Sequence, residues 1–208
     1  MLKTVRALIL ILFLFLVNDT QAVLVDRILA VVNHQPITLS DLHQHEAFLA
    51  LNNGKKNWEP SDAFSPSSLQ QIIDQRLLLE EAGRFEVSVP DRTDLQKVQD
   101  RLAKRFTNSE EFQDTLQRWG LNREDLQHLL EYQLTVERFV DQRIKFFVII
   151  PPAEIQTYYE SHREEYRETN LEQALAQITS KLTDQKTEEK LEAYLKKLRD
   201  NANIQINP

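Results

Sequence analysis

Glycine occurs only three times in this chain of 208 residues, at Gly54, Gly83 and Gly120. That scarcity bounds the possible folds more tightly than any other feature. Average usage is about 7%, and three isolated glycines cannot build a glycine-rich phosphate loop. A dinucleotide fingerprint and a Walker-type loop are both excluded. Tight hairpins draw on Gly or Asn-Gly at their turns, so a hairpin-rich β architecture is disfavoured as well. The chain also has no cysteine, which removes disulfide frameworks, thiolate-bound zinc, iron–sulfur clusters and thiol nucleophiles together. What remains is a mostly helical, acidic chain of net charge −7 with no cofactor signature.

The N-terminus indicates where the chain works. Lys3 and Arg6 precede an unbroken apolar run from Ala7 to Val17, followed by Asn18, Asp19, Thr20, Gln21 and Ala22. At 1.5 Å per residue such a run spans roughly 16 Å, about half of a bilayer's hydrocarbon core. A basic start, a short apolar stretch and a small-x-small end (Thr20-Gln21-Ala22) predict a secretory signal peptide over 1–22, cleaved after Ala22. The alternative is an uncleaved membrane anchor. Absence of cysteine suits an oxidising compartment, and an acidic exported chain has no electrostatic case for nucleic acid.

Beyond Ala22 the periodicity is mainly helical. Val25–Asn33 reads as a β-branched strand, His34-Gln35-Pro36 as a turn, and Ile37-Thr38 as extended chain. Ser40 is placed as the N-cap of a helix running to about Leu51. A loop over 52–66 holds Gly54, Pro60 and Pro66 together with Trp58 and Phe64. Ser65-Pro66 opens a second helix with a broad apolar stripe, Leu69, Ile72, Ile73, Leu77, Leu78 and Leu79, which predicts the most buried helix of the chain. Val87–Val89 reads as a short strand. Asp91 caps a third helix through Phe106, and a fourth begins at Ser109 and ends at Gly120 as a left-handed cap. Asn122 opens a long fifth helix carrying Ile144 and Phe147 and stopped by Pro151-Pro152. A short helix then covers Ala153 to about Tyr166. Asn170 starts another, with a bend expected where the stripe loses helical phase between Leu182 and Leu191. Ile204-Gln205-Ile206 alternates like a terminal strand.

The candidate chemistry is thin. His43 and His45 lie two apart on a helix and face different directions, so they cannot share a metal; both are expected to be exposed. Ser40, Asp41 and His43 are too close in sequence to imply triad geometry. The acidic pairs Glu80-Glu81, Glu110-Glu111, Glu164-Glu165 and Glu188-Glu189 read as solvated helix faces, and Glu192 with Lys196 as a surface pair at i,i+4. Phe106, Phe112, Trp119, Tyr132, Phe139, Phe146 and Phe147 are expected in the core. Trp58 and Phe64, in a Pro- and Gly-containing loop, are harder to assign to packing. Exposed, they would mark a surface for apolar polypeptide.

The stretch Val25 to Leu42 resembles the opening of the SurA-type periplasmic chaperones, through Asp26, Arg27, Ile28, Ala30, Val31, Val32, Asn33, Ile37, Thr38, Ser40, Asp41 and Leu42. A second likeness lies in Ile72, Ile73, Asp74, Arg76, Leu77, Leu78, Glu81 and Ala82. A third covers Phe112, Leu116, Gly120, Leu121, Leu126 and Gln133, then Pro152, Ile155, Tyr158 and Tyr159. Two departures stand out. The family has a glycine before its Val-x-Val stretch, where this chain has Glu86, so the helix end there is expected to be built differently. Family members also commonly carry one or two parvulin prolyl-isomerase domains after the Tyr-Tyr helix. Here only four residues separate Tyr166 from Leu171.

The resemblance implies a mostly α fold, a multi-helix SurA N-terminal-like domain with a few short strands. Its chaperone domain would span 23–166, completed by a C-terminal helical segment and terminal strand over 167–208 that pack back on the core. Ile204–Ile206 is expected to pair with Val25–Val32 or Val87–Val89. The implied function is an ATP-independent periplasmic chaperone that binds unfolded envelope or outer-membrane proteins through an apolar groove, with Trp58, Phe64, Phe112 and Trp119 as candidate client-binding residues. No catalytic residue, metal or cofactor is implied. The alternatives are a folding factor related to the peptidyl-prolyl isomerases, and an adaptor subunit of an envelope complex.

Overall fold

The β-branched run after Asp26 forms strand β1 (Ile28–Val32), which turns directly into β2 (Gln35–Thr38). This computed structural model describes residues 26–55, 57–61 and 65–207; the predicted signal peptide and Phe64 lie outside the described residues. The turn sits one residue earlier than expected. Asn33 and His34 both have positive φ, 45° and 72°, as a two-residue hairpin of mirror-image turn type requires. Pro36 falls inside β2, which is tolerated because β2 is an edge strand. The other edge is β3 (Ile204–Ile206). It pairs antiparallel with β1, setting Val32 opposite Ile204 and Ala30 opposite Ile206. The Asn33 N–H to Asn203 O and Asn207 N–H to Leu29 O bonds, 3.0 and 2.8 Å, extend that ladder at both ends. Strand pairing thus joins residues at opposite ends of the described chain.

The helices among the described residues are α1 (Leu39–Asn52), α2 (Pro66–Arg84), α3 (Arg92–Ala103), α4 (Ser109–Arg118), α5 (Arg123–Arg143), α6 (Pro152–Ser161) and α7 (Leu171–Asn201). Most starts follow their caps: Ser65, Asp91, Asn122 and Asn170 each accept a backbone N–H from the first turn. The cap of α1 is Thr38 and not Ser40. Thr38 Oγ1 accepts the Asp41 N–H, while Asp41 Oδ2 accepts the Thr38 N–H at 2.9 Å. This reciprocal box satisfies two orphan groups where a serine at 40 would satisfy one.

Three further expectations are corrected. Val87–Val89 is not a strand: Val87 is buried with its N–H on Ala82 O at 2.9 Å, closing the end of α2, and no strand lies beside it. Glu86 itself takes the left-handed conformation, φ 52°. The helix end is therefore built as a glycine would build it, with a side chain in its place. Finally, α7 runs unbroken for 31 residues. The nine steps from Leu182 to Leu191 rotate the stripe about half a turn around the helix, so the helix changes partner without bending. Ala174, Ile178 and Leu182 are buried in its first half, which packs on α6. Leu191, Leu195 and Leu198 in the second half pack against the body.

Three apolar clusters hold that body. One joins α1, α3, α4 and α5 through Leu51, Leu95, Phe112, Trp119, Leu126 and Leu130. A second lies between the sheet and the first two helices, around Leu29, Ile37, Leu42 and Ile73. The third joins α2, α5 and α7 around Leu78, Val87, Phe139, Ile144 and Leu195. Since α2 contributes to both the second and the third, it is the central helix its broad stripe implied. Polar ties add direction: Arg199 Nη1 donates to both oxygens of Asp74, at 3.0 and 2.9 Å, and the Tyr194 hydroxyl donates to Glu81.

Candidate polypeptide-binding surface

Of the four nominated aromatics, three meet in one place. Trp119 follows the last residue of α4 and is 3% exposed. The half-buried Trp58 stands edge-on to it, with ring centroids 6.0 Å apart. Phe112, on the inward face of α4, is buried in the same cluster and tilts against Phe106 at 5.1 Å. Trp58, Phe112 and Trp119 therefore pack the α1–α3–α4–α5 body. Phe112 is also part of the floor of a groove of about 400 Å³ between α3 and α4. Ala103, Leu116 and Leu121 share that floor, and Gln99, Gln113 and Gln117 line it with them.

The exposed apolar surface lies elsewhere, and sequence reasoning missed it. Helix α5 ends at Arg143, well short of the proline pair, because Ile144 turns out of helical geometry to bury its side chain in the third cluster. A short 3-10 turn, Lys145–Phe147, follows. Chain direction then becomes extended through Val148 (ψ 119°) to Pro151 (ψ 140°), since each proline disfavours helix in the residue before it. Phe146, Phe147 and Ile149 are left 78%, 58% and 82% exposed. The two phenylalanine rings lie edge to face at 5.2 Å. Two lysines fix the segment to its neighbour: Lys190 Nζ donates to Phe147 O at 2.9 Å, and Lys145 Nζ to Asp184 Oδ1 at 3.0 Å. Among the described residues, the N–H and C=O groups of Ile149 have no partner. The signal available in the sequence was the continuous run Phe146-Phe-Val-Ile-Ile150 before two prolines. Placed on a helix, Phe146 and Phe147 read as core.

A third exposed aromatic, Phe85, lies beside the start of this segment. Arg143 covers its ring at 4.0 Å, and the ring packs on Phe139 at 6.1 Å. Fully burying a Phe or Ile side chain contributes roughly 1.5–3 kcal/mol. The fold forgoes much of that gain at three sites within four residues, which marks the segment as a surface awaiting cover.

Among the described residues the buried titratable groups are engaged in, or enclosed by, the fold. His43 is half-buried where exposure was expected, with Nε2 3.0 Å from Ser61 O. His45 departs further: it is buried between α1 and its neighbours, and neither ring nitrogen has a hydrogen-bond partner. Burial holds its pKa below the ordinary histidine value of 6.5. The Gln71 side chain and the Glu46 charge act the other way, but Gln71 does not reach hydrogen-bond geometry. Glu81 is also buried and not solvated, where it accepts from Tyr194 and Arg84. Burial, with Glu81 adding to it, pushes the Tyr194 hydroxyl up to about 12. Glu192 pairs with Arg199 and not with Lys196. Among the described residues no group of acidic or histidine side chains could hold a metal ion, and no helix is long and apolar enough to cross a membrane.

No protein-family model matches the chain. A curated protein from Alkalilimnicola ehrlichii, Chaperone SurA, is 25% identical over 153 residues, covering 72% of this chain and 35% of that protein. The chain thus spans about a third of that relative's length when matched to it. Among solved structures, one of two structurally related SurA-like chaperones of Campylobacter jejuni superimposes with a TM-score of 0.54. The match covers 87% of this chain and 99% of that one, at 10% identity. The chain is therefore similar to SurA-type chaperones in sequence, and its mostly α architecture with a small three-stranded sheet is a SurA-like fold.

Proposed function

We propose that this chain is an ATP-independent holding chaperone of the periplasm. In this reading it binds unfolded envelope proteins, outer-membrane β-barrel precursors among them, before they reach their destination. The observation that carries the reading is the exposed apolar segment Phe146–Ile149, a 3-10 turn that passes into extended chain at Val148, with open backbone groups at Ile149. The signal-like N-terminus and the similarity to SurA-type chaperones support the compartment and the class.

The physical role follows from what an unfolded β-rich client exposes: apolar side chains and unpaired strand edges, the two features that drive aggregation. Phe146, Phe147 and Ile149 cover the first, and the extended backbone offers partners to the second. Burial of three such side chains supplies a gross gain of about 5–9 kcal/mol. Ordering the client segment removes several of these. The result is weak, reversible capture, which suits a factor that must release its client without a nucleotide. The net negative charge keeps the loaded complex soluble.

The chain passes from α6 to α7 through a short connection that contains the 3-10 turn Arg163–Tyr166, and the proposal assigns no catalysis to it. Two assays test the reading. The purified protein at stoichiometric amounts should suppress light scattering by a diluted, unfolded outer-membrane protein, and should leave the isomerisation rate of a proline peptide unchanged. A triple variant, Phe146→Ser, Phe147→Ser and Ile149→Ser, should lose most of the protection while keeping its unfolding midpoint. No suppression by the parent protein, or measurable isomerase turnover, would overturn the proposal.

A further inference from the structure

The three-stranded sheet has two edges, and the chain treats them differently. At β2 the edge carries Pro36, which has no N–H to offer an incoming strand. At β3 nothing of that kind intervenes: the run from Asn203 to Asn207 holds neither a charge nor a proline. Its inward groups are taken up by β1 and the turn beside it. Asn203 N–H donates to Asn33 Oδ1 and Asn203 O accepts the Asn33 N–H, both at 3.0 Å. Gln205 lies opposite Val31, and Asn207 N–H donates to Leu29 O at 2.8 Å. Backbone groups of an antiparallel strand alternate between its two sides, so the N–H and C=O of Ile204 and Ile206 point away from β1. Among the described residues they have no partner. The side chains alternate as well. Ile204 packs partly on the second cluster, Ile206 on the same face is 60% exposed, and Gln205 stands on the opposite face.

We infer that β3 takes an added strand from a client: an extended segment with alternating apolar and polar side chains, paired to Ile204–Ile206. Main-chain bonds to Ile204 and Ile206 supply attachment that ignores sequence, and the Ile-Gln-Ile alternation supplies the preference for an alternating partner. An apolar side chain of that segment covers Ile206, while its polar neighbours lie with Gln205 and meet water. Such alternation is the chemistry of a membrane β-strand before insertion. The inference rests on the holding reading above for the source of the strand. A second copy of this chain is the competing occupant. Pairing β3 with β3 engages three residues a side, far below the roughly 1,000 Å² of a specific interface. A client segment needs no such area, because brief capture already covers the strand edge through which it would aggregate.

Hydrogen exchange at single amides, read by NMR on the purified protein, tests this. The probe is a short capped peptide of alternating valine and threonine; its control has the same composition with the valines in one block. Saturating alternating peptide should slow the Ile204 and Ile206 amides about tenfold, leaving Gln205 and Asn207 as they were, and the blocked peptide should slow them far less. Ile206→Pro removes one outward donor and spares the inward ladder, so slowing at Ile204 should vanish. Ile206→Ala keeps the donor and should retain it. Unfolding midpoints are recorded for both, and if Ile206→Pro proves destabilised the two peptides on the parent chain decide alone. The serine variant at Phe146, Phe147 and Ile149 should show the full slowing, so failure of strand pairing and failure of the holding reading are told apart. No slowing, equal slowing by both peptides, or slowing that survives in a folded Ile206→Pro would overturn the inference. So would protection that rises with protein concentration in the absence of peptide, which assigns the edge to a second copy.

Discussion

The surroundings of Trp119 and the segment Phe146–Ile149 are both rich in aromatic and aliphatic side chains, and the fold treats them in opposite ways. Trp119 sits where α4 ends and Gly120, with φ 71°, turns the chain back. Leu121 and α5 then close over it, and α1 and Trp58 complete the enclosure. After Arg143 the chain leaves α5, makes the 3-10 turn Lys145–Phe147 and runs extended from Val148 into a proline pair, with Lys190 and Asp184 of α7 tying it on one side. Residue type does not separate the two regions. What separates them is how the preceding helix stops and whether the chain then doubles back over the ring.

The largest test of that contrast is truncation. Trp119→Ala should cost about 3–5 kcal/mol, whereas Phe146→Ala should stay within about 0.5 kcal/mol, both read from urea unfolding midpoints. Comparable losses would erase the distinction between a packed ring and a presented one. A smaller effect is expected at Glu86, next to the exposed Phe85. A side chain in the left-handed region costs about 1–2 kcal/mol, partly offset by the greater freedom that glycine has when unfolded. Glu86→Gly should therefore stabilise the body by about 0.5–1 kcal/mol in a thermal melt, and a lower melting midpoint would contradict this account of the α2 end.

The gentlest perturbation is pH. His45 has its pKa lowered by burial from 6.5, so in the window between that value and the lower folded one the unfolded chain holds more protons. Its contribution to stability is present above about pH 6.5 and fades as pH falls through that window. The stability difference between the parent and His45→Gln should shrink over the same range. A difference independent of pH would mean that burial does not govern this ring.

Much of the body could be read from local chemistry. Caps at Ser65, Asp91, Asn122 and Asn170 mark helix starts because each depends on a few neighbouring atoms. Alternation and the family resemblance gave Ile204–Ile206 two possible partners, Val25–Val32 or Val87–Val89, and the structure pairs it with Ala30–Val32. The misreadings share one cause: partners remote in sequence. Val87 and Val89 look like strand residues, yet a strand needs a neighbour and Val87 closes a helix end instead. The phase break in α7 reads as a bend unless one knows that its two halves face different layers. Phe146 and Phe147 fall on a helical stripe, and only the burial of Ile144 reveals that the helix has already stopped. His45 reads as an exposed helix residue until α2 and α5 are placed around it.

The central claim is that clients meet the presented segment and not the packed aromatics. Photo-crosslinking measures this directly, with benzoylphenylalanine placed singly at Phe147, Trp58 or Phe112 and an unfolded outer-membrane protein added. Strong client adducts at Phe147, with little at Phe112 or Trp58, are predicted. Adducts concentrated at Trp58 or Phe112, with Phe147 silent, would contradict the account.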